Sequence, residues 1–360
     1  KATITYIGKE ITIYDTSGAN APVLASNMIP VYYDETNSVW KKANTNNIDK
    51  NNPWYSYNST GEYKGMWANA VTVTGTNRQT YLNASPGTVI PMNDISTMWV
   101  WIPRFKATTP SNYNGGTKEK PNAINVTFVK PNETAIDAFT FGTKQLSGFW
   151  YGKFEIGGTL ASSCTNETCN VSNIVVKPNV SSLRIQTVSS FFFASRSMEQ
   201  TGNSFGFVST EVDTHMSKNN EWGAVAYLTQ SIYGRCTSST TCTEVGINSS
   251  GLITGYGAPA GSSSSVTNGA YNTDLGKDAS TTKNIYGIYD MSGGTSEYVM
   301  GVYSNTKGLS GFNSLPDEKY YNNYTESSYT YHALTETNGW YSDAAYFASK
   351  SYPWFKRGGY

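Results

Sequence analysis

Polar and hydrophobic positions alternate along much of the first 160 residues. "ATITYIGKEITIYD" alternates β-branched and aromatic residues around Gly8-Lys9, so residues 1 to about 20 are expected to be strand. "MIPVYYDE" (28–35), "MWANAVTVT" (66–74) and "TMWVWIPRF" (97–105) carry the same pattern, with Pro103 at a bulge or edge. "INVTFV" (124–129) and "SGFWYGKFEIGG" (147–158) follow. Together these read as a meander of strands around a shared aromatic core.

The period then changes. In "VSSLRIQTVSSFFFASRSM" (180–198), Leu183, Ile185, Val188, Phe191, Phe192 and Ala194 fall on one broad face, which predicts a helix capped by Ser181 or Ser182. "SKNNEWGAVAYLTQSIYG" (217–234) repeats apolar residues at three-to-four spacing, with Asn219 or Asn220 as N-cap and Gly234 as the residue just past the end. Long ordered loops are expected over 235–283, β structure over 283–303 with a turn at Gly293-Gly294, and Tyr-rich loops over 304–339. No internal repeat is present. The fold class is α+β.

Composition sharpens this. Charged residues are 14% of the 360, against about 25% in ordinary domains, and Asn, Ser, Thr, Gly and Tyr replace them. The aromatic content of 14% excludes a disordered chain. A net charge of zero gives no electrostatic footprint for nucleic acid or an anionic membrane. No window approaches the roughly 18 apolar residues of a spanning helix. The chain opens at Lys1 and not at Met, which reads as a processed start compatible with a removed export or anchor segment.

Four cysteines form two local pairs, Cys164 with Cys169 and Cys236 with Cys242. Neither pair has zinc-knuckle spacing, and only His215 and His332 are available as imidazole ligands, so two disulfide-closed loops and no metal site are expected. Such loops imply an oxidising, extracytoplasmic setting. Glu155, Asp290 and Glu297 are candidates for a glycosidase-type acid pair. The plainer reading is that Asp290 and Glu297 hold the Gly293-Gly294 turn through backbone hydrogen bonds.

Three stretches share an order with a known family. "NNEWGAVAYLTQSIYGR", "NIYGIYDMSGGTSEYV" and "PWFKRGGY" resemble the second-helix, Gly-Leu-Tyr-Asp-Met and Arg-Gly-Gly segments of the formylglycine-generating-enzyme/sulfatase-modifying family. The resemblance covers roughly residues 97–360. It implies a variant of the C-type-lectin-like fold, with two helices, a twisted antiparallel sheet and long loops over one face. A narrower resemblance is to the variable proteins of diversity-generating retroelements, ligand-binding proteins whose C-terminal segment is rewritten by adenine-directed mutagenesis. Residues 1–96 resemble stalk-like, β-rich parts of pilin-like surface proteins. The implied organisation is a β-rich region (1–96) before a ligand-binding domain (97–360) with a variable segment at about 339–360.

"GWYSDAAYFASKSYPWFKRGGY" then divides into two sets. Trp340, Phe347, Trp354, Phe355, Arg357, Gly358 and Gly359 read as a fixed frame, with Arg357 bracing the loop through carbonyls and the glycines permitting close approach or positive φ. Tyr341, Ser342, Ala344, Tyr346, Ser349, Ser351, Tyr352 and Tyr360 read as a replaceable ligand-binding display; all are permitted outcomes of randomised adenines in AAY codons. Nine of the 27 Tyr fall within residues 320–360, and a Tyr, Ser and Gly mixture suits a paratope-like surface. The cysteine positions do not match the family's copper site, and two isolated histidines do not make an iron site. No Ser-His-Asp or Cys-His set has usable partners. The expectation is a non-catalytic adhesin- or receptor-like protein without cofactor. It would be displayed outside the cell and bind a protein or glycan on another cell, a host or a phage. The alternatives are a phage tail receptor-binding module, placed on the phage particle, and an enzyme of the formylglycine-generating fold with an unrecognised site.

Overall fold

The computed structural model describes residues 14–358 except 48, 111, 118–119, 161–163, 170–172, 263, 265–266, 326–328, 331–344 and 347–350. The fold is mixed α+β, with few helices and several small, mostly antiparallel sheets. In the first sheet, β1 (Ile29–Asp34), β2 (Val39–Lys42), β3 (Asn69–Val73), β4 (Ile95–Pro103) and β5 (Gly148–Gly152) run in the order β2-β1-β3-β4-β5, every pair antiparallel. Strands β1, β3, β4 and β5 fall where strands were expected, but β2 was not expected, and Val126–Phe128 pairs with Phe105–Ala107 in a separate two-stranded sheet. The first sheet's polar handles are satisfied inside: the Trp54 indole donates to Asn69 O (2.8 Å), Tyr57 Oη to Trp101 O (2.6 Å) and Trp101 to Asn20 O (3.0 Å).

The second sheet holds β6 (Glu297–Tyr303), β7 (Asn322–Tyr324), β8 (Tyr329–Thr330), β9 (Ala345–Tyr346) and β10 (Trp354–Arg357), ordered β7-β6-β10-β9-β8. The chain's C-terminal strand is therefore central, paired with β6 on one side and β9 on the other. Between the sheets lies helix α3 (Asn219–Thr229), buried along its whole length, as expected of a helix apolar on most sides.

The division expected at 96/97 falls inside β4, which pairs with β3 from Asn69↔Val100 to Val73↔Ile95. Trp54, Tyr57 and Trp67 share one core cluster with Trp101, Trp222, Val299 and Phe355. The described part of the N-terminal region thus belongs to the same sheet and core as the rest.

Several boundaries differ from expectation. Residues 14–20 are irregular, and 1–13 lie outside the described residues. The helix expected over 180–198 is α2 (Val188–Ser197) only. Ser181 bridges to Ile253 and Ser182 to Gly157, Ile185 takes a left-handed φ of 57°, and Thr187 caps the helix by accepting from Ser190 N. Helix α3 stops at Thr229, short of Gly234, whose N–H closes a turn onto Ser231 O. Asn219 and Asn220 lie inside its first turn, and the Glu221 carboxylate accepts from Lys218 N (2.8 Å). Helix α1 (Gly75–Asn83) was not expected, because no apolar stripe marks it and none of its residues is buried. Of 283–303 only Glu297–Tyr303 is strand; Lys283, Asp290, Gly293 and Gly294 all take positive φ.

Both local cysteine pairs are disulfides, Cys164–Cys169 and Cys236–Cys242, the second across a two-stranded hairpin. Among the described residues no helix is long and apolar enough to cross a membrane.

Candidate functional site

The C-terminal strand places two kinds of residue side by side. Ser351 is exposed and Tyr352 is 79% exposed, whereas Trp354 is 5% exposed and Phe355 and Arg357 are fully buried. The Trp354 indole donates to Lys307 O (2.9 Å), and its ring lies 5.5 Å from Phe312. The Arg357 guanidinium sits between the rings of Trp222 (4.6 Å) and Phe355 (4.4 Å), and its Nε donates to Asn219 Oδ1 (2.8 Å). This bond ties the strand to a side-chain amide on α3. Gly358 has φ 81°, its carbonyl accepts from Gly293 N (2.8 Å), and the Glu297 carboxylate lies where a Cβ would be built.

Trp340, Tyr341, Ser342, Ala344, Phe347, Ser349, Gly359 and Tyr360 lie outside the described residues. The backbone of Tyr346 is in β9, opposite Tyr329 on one side and Lys356 on the other. Part of the Tyr enrichment is core: Tyr320 and Tyr321 are 6% and 9% exposed, and Tyr320 packs on Phe141, Phe192 and the Arg196 guanidinium.

Sequence reasoning gave Asn219 and Asn248 no such role. Asn219 joins α3 to the C-terminal strand. Asn248 O accepts from Gly294 N (2.8 Å), Asn248 Nδ2 donates to Asp290 Oδ1 (2.9 Å), and Glu155 Oε1 accepts from Thr295 N (3.1 Å). In this geometry the Gly293-Gly294 turn is held by Asn248, Gly358 and Glu155. Asp290 instead accepts from Gly255 N (2.8 Å) and Asn248. Nothing local signals these contacts, which link segments 35 to 140 residues apart.

The three candidate carboxylates do converge, on the wall of a trough of about 950 Å³. Burial and the neighbouring charge of Asp290 push Glu155 well above the usual carboxylate range, where Ser182 Oγ donates to it. Burial likewise raises Asp290 against the pull of its hydrogen bonds from Gly255 and Asn248. Such a pair can retain a proton near neutrality.

A second charged group also lines the trough. His215 Nε2 meets Glu221 (3.0 Å), its ring stacks on Phe141 at 4.8 Å, and Asp213 gathers Arg196 (2.6 Å) and Lys319 (3.0 Å). Burial pulls His215 down, but the Glu221 charge and the bonds to Asp213 and Glu221 outweigh it and hold it at about 9. Among the described residues no group of three or more His, Cys, Asp or Glu is arranged to hold a metal ion.

The sign of this shift fixes a pH prediction. A histidine raised from 6.5 to about 9 contributes stability below pH 6.5 and loses that contribution as pH rises through 9. His215→Gln is therefore expected to destabilise the protein by roughly 2 kcal/mol near pH 6 and by little above pH 9.5, in thermal melts across that range. Lys153, which burial pulls the opposite way, leaves this difference untouched because both proteins carry it. A variant equally destabilised at both ends contradicts the assignment.

The chain matches no family model and no curated protein.

Proposed function

We propose that this chain is a non-catalytic ligand-binding protein of C-type-lectin-like fold whose C-terminal segment, about 339–360, is a display diversified by a retroelement. The observation that carries this reading is the separation at its end: exposed Ser351 and Tyr352 beside buried Trp354, Phe355 and Arg357. A frame anchored on α3 lets neighbouring residues change without disturbing the core, and an exposed Tyr offers a large, stiff contact with a polar tip. Two disulfides support placement outside the cell, as an adhesin or receptor for a protein or glycan. The non-catalytic reading is supported by Asp290, whose oxygens already serve Gly255 and Asn248, and by Glu155, which ties the 293–295 turn.

The test is a variant carrying Tyr341→Ala, Tyr346→Ala and Tyr352→Ala, compared with the parent on glycan arrays and intact bacterial cells. Binding is expected to be lost, with stability falling by only about 0.5 kcal/mol per site, as for surface positions. Retained binding, or a loss of several kcal/mol, contradicts the display.

A further inference from the structure

The trough runs along an open sheet edge. Strand β5 pairs with β4 from Trp99↔Gly152 to Pro103↔Gly148 and is the last strand of its sheet. Trp101 N donates away from β5, to Ala68 O, while Lys153 N and Ser147 O bond back to β4 through Met98 O and Arg104 N. Antiparallel alternation then turns the N–H and C=O groups of Gly148, Trp150 and Gly152 away from β4. These groups have no partner among the described residues. All five residues of β5 line the trough, from both faces of the strand, as a cavity lying along its edge requires.

Glu297–Val299 of β6, the start of α3, Phe191 and Ser195 of α2 and Met198 just past its end also line the trough. Trp99, Trp150 and Phe149 supply apolar surface. Six carboxylates line the trough against one cation, His215, and no Lys or Arg lines it. Asp213 and Glu221 are answered by Arg196, Lys319 and His215. Glu155 and Asp290 form no ion pair among the described residues; Glu155 bonds Ser182, Thr295 N and the Glu297 carboxyl, and Asp290 bonds Gly255 N and Asn248.

From this we infer that the trough is an acceptor for one extended peptide strand of a partner protein, which adds to the edge of β5 and presents an Arg or Lys side chain to Glu155. The open backbone groups supply the register, as in other cases of strand addition to a sheet edge. The apolar walls take the alternating side chains, and a cation beside Glu155 and Asp290 meets two neighbouring carboxyls that have no Lys or Arg partner among the described residues, taking the place of the proton they otherwise hold. A free edge of this kind is normally covered or blunted. The site is separate from the proposed C-terminal display and does not depend on it.

The probe is a capped heptapeptide, Val-Arg-Val-Arg-Val-Arg-Val, labelled and titrated into the whole chain by fluorescence anisotropy. Saturable 1:1 binding is expected. It is expected to weaken at least about tenfold when alternate amides of the peptide are N-methylated or its Arg are replaced by Glu, since each change removes charge-assisted or backbone bonds. Glu155→Gln, checked for folding by circular dichroism, is expected to weaken it by a similar factor. No binding, or equal binding by the N-methylated peptide, overturns strand addition. Equal binding by the Glu peptide overturns the cation assignment. Concentration-dependent self-association that the peptide competes away, or a structure with the trough filled by residues of the same chain, overturns the partner strand.

Discussion

Lys153→Ala is expected to lower stability by about 4 kcal/mol or more, enough to leave much of the chain unfolded at moderate temperature. Lys153 is fully buried directly after β5. Its Nζ donates to Ile285 O and Gly287 O, both at 2.7 Å, and lies 5.4 Å from the centres of Trp40 and Tyr289 and 5.9 Å from that of Phe154. Its function is to fasten the irregular 285–289 segment, which has no ladder of its own, onto the first sheet. Alanine removes both donors, leaves two buried carbonyls without those partners and opens a cavity among three rings. Lys153→Met keeps the stem and loses only the donors, so it should cost about 1–3 kcal/mol. Urea unfolding of the two variants separates these contributions; parent-like stability of Lys153→Ala would contradict the role.

Arg357→Ala carries the second large effect, about 3–5 kcal/mol by thermal or urea unfolding. The guanidinium is fully buried between Trp222 and Phe355 and bonds Asn219, so the loss combines packing with a hydrogen-bond acceptor left behind. Arg357→Lys is not expected to restore it, because an ammonium lacks the planar surface that stacks on both rings. Tyr352→Ala, five residues earlier and 79% exposed, should leave stability unchanged within about 0.5 kcal/mol. That contrast within one short segment is what a frame and a display require. If Tyr352→Ala proved as costly as Arg357→Ala, the two sets would not exist.

The extent to which the sequence foretold this structure follows from where each contact lies. The strands of the first sheet were legible because β1, β3, β4 and β5 alternate or run apolar over several residues; that β3 pairs with β1 and leaves β2 at the edge was not. Helix α3 was legible because its apolar residues recur at three-to-four spacing, although every side of it is buried. The N-terminal limit of α2 was not: Ser182 is tied to Glu155 and Gly157 from distant segments, and the exposed Ile185 takes a left-handed φ. Helix α1 has no buried residue and hence no apolar signature. Trp354, Phe355 and Arg357 were read as frame from residue type and the resemblance of the segment, but Asn219 as the partner of Arg357 was not, being 138 positions away. The His215 network joins segments around 141, 196, 213 and 319, and no local pattern announces such an assembly. The open edge of β5 is a property of topology, invisible until the strand order is known.

The most direct test of the central claim is to sequence the gene with its flanking DNA. The account predicts a reverse-transcriptase gene and a near-identical template repeat that differs from the coding copy only at adenines. Those differences should fall in codons such as those of Tyr341, Ser342, Tyr346, Ser351 and Tyr352 and spare Trp354, Phe355 and Arg357. Absence of a template repeat, or differences spread through the codons of the buried frame, would contradict it.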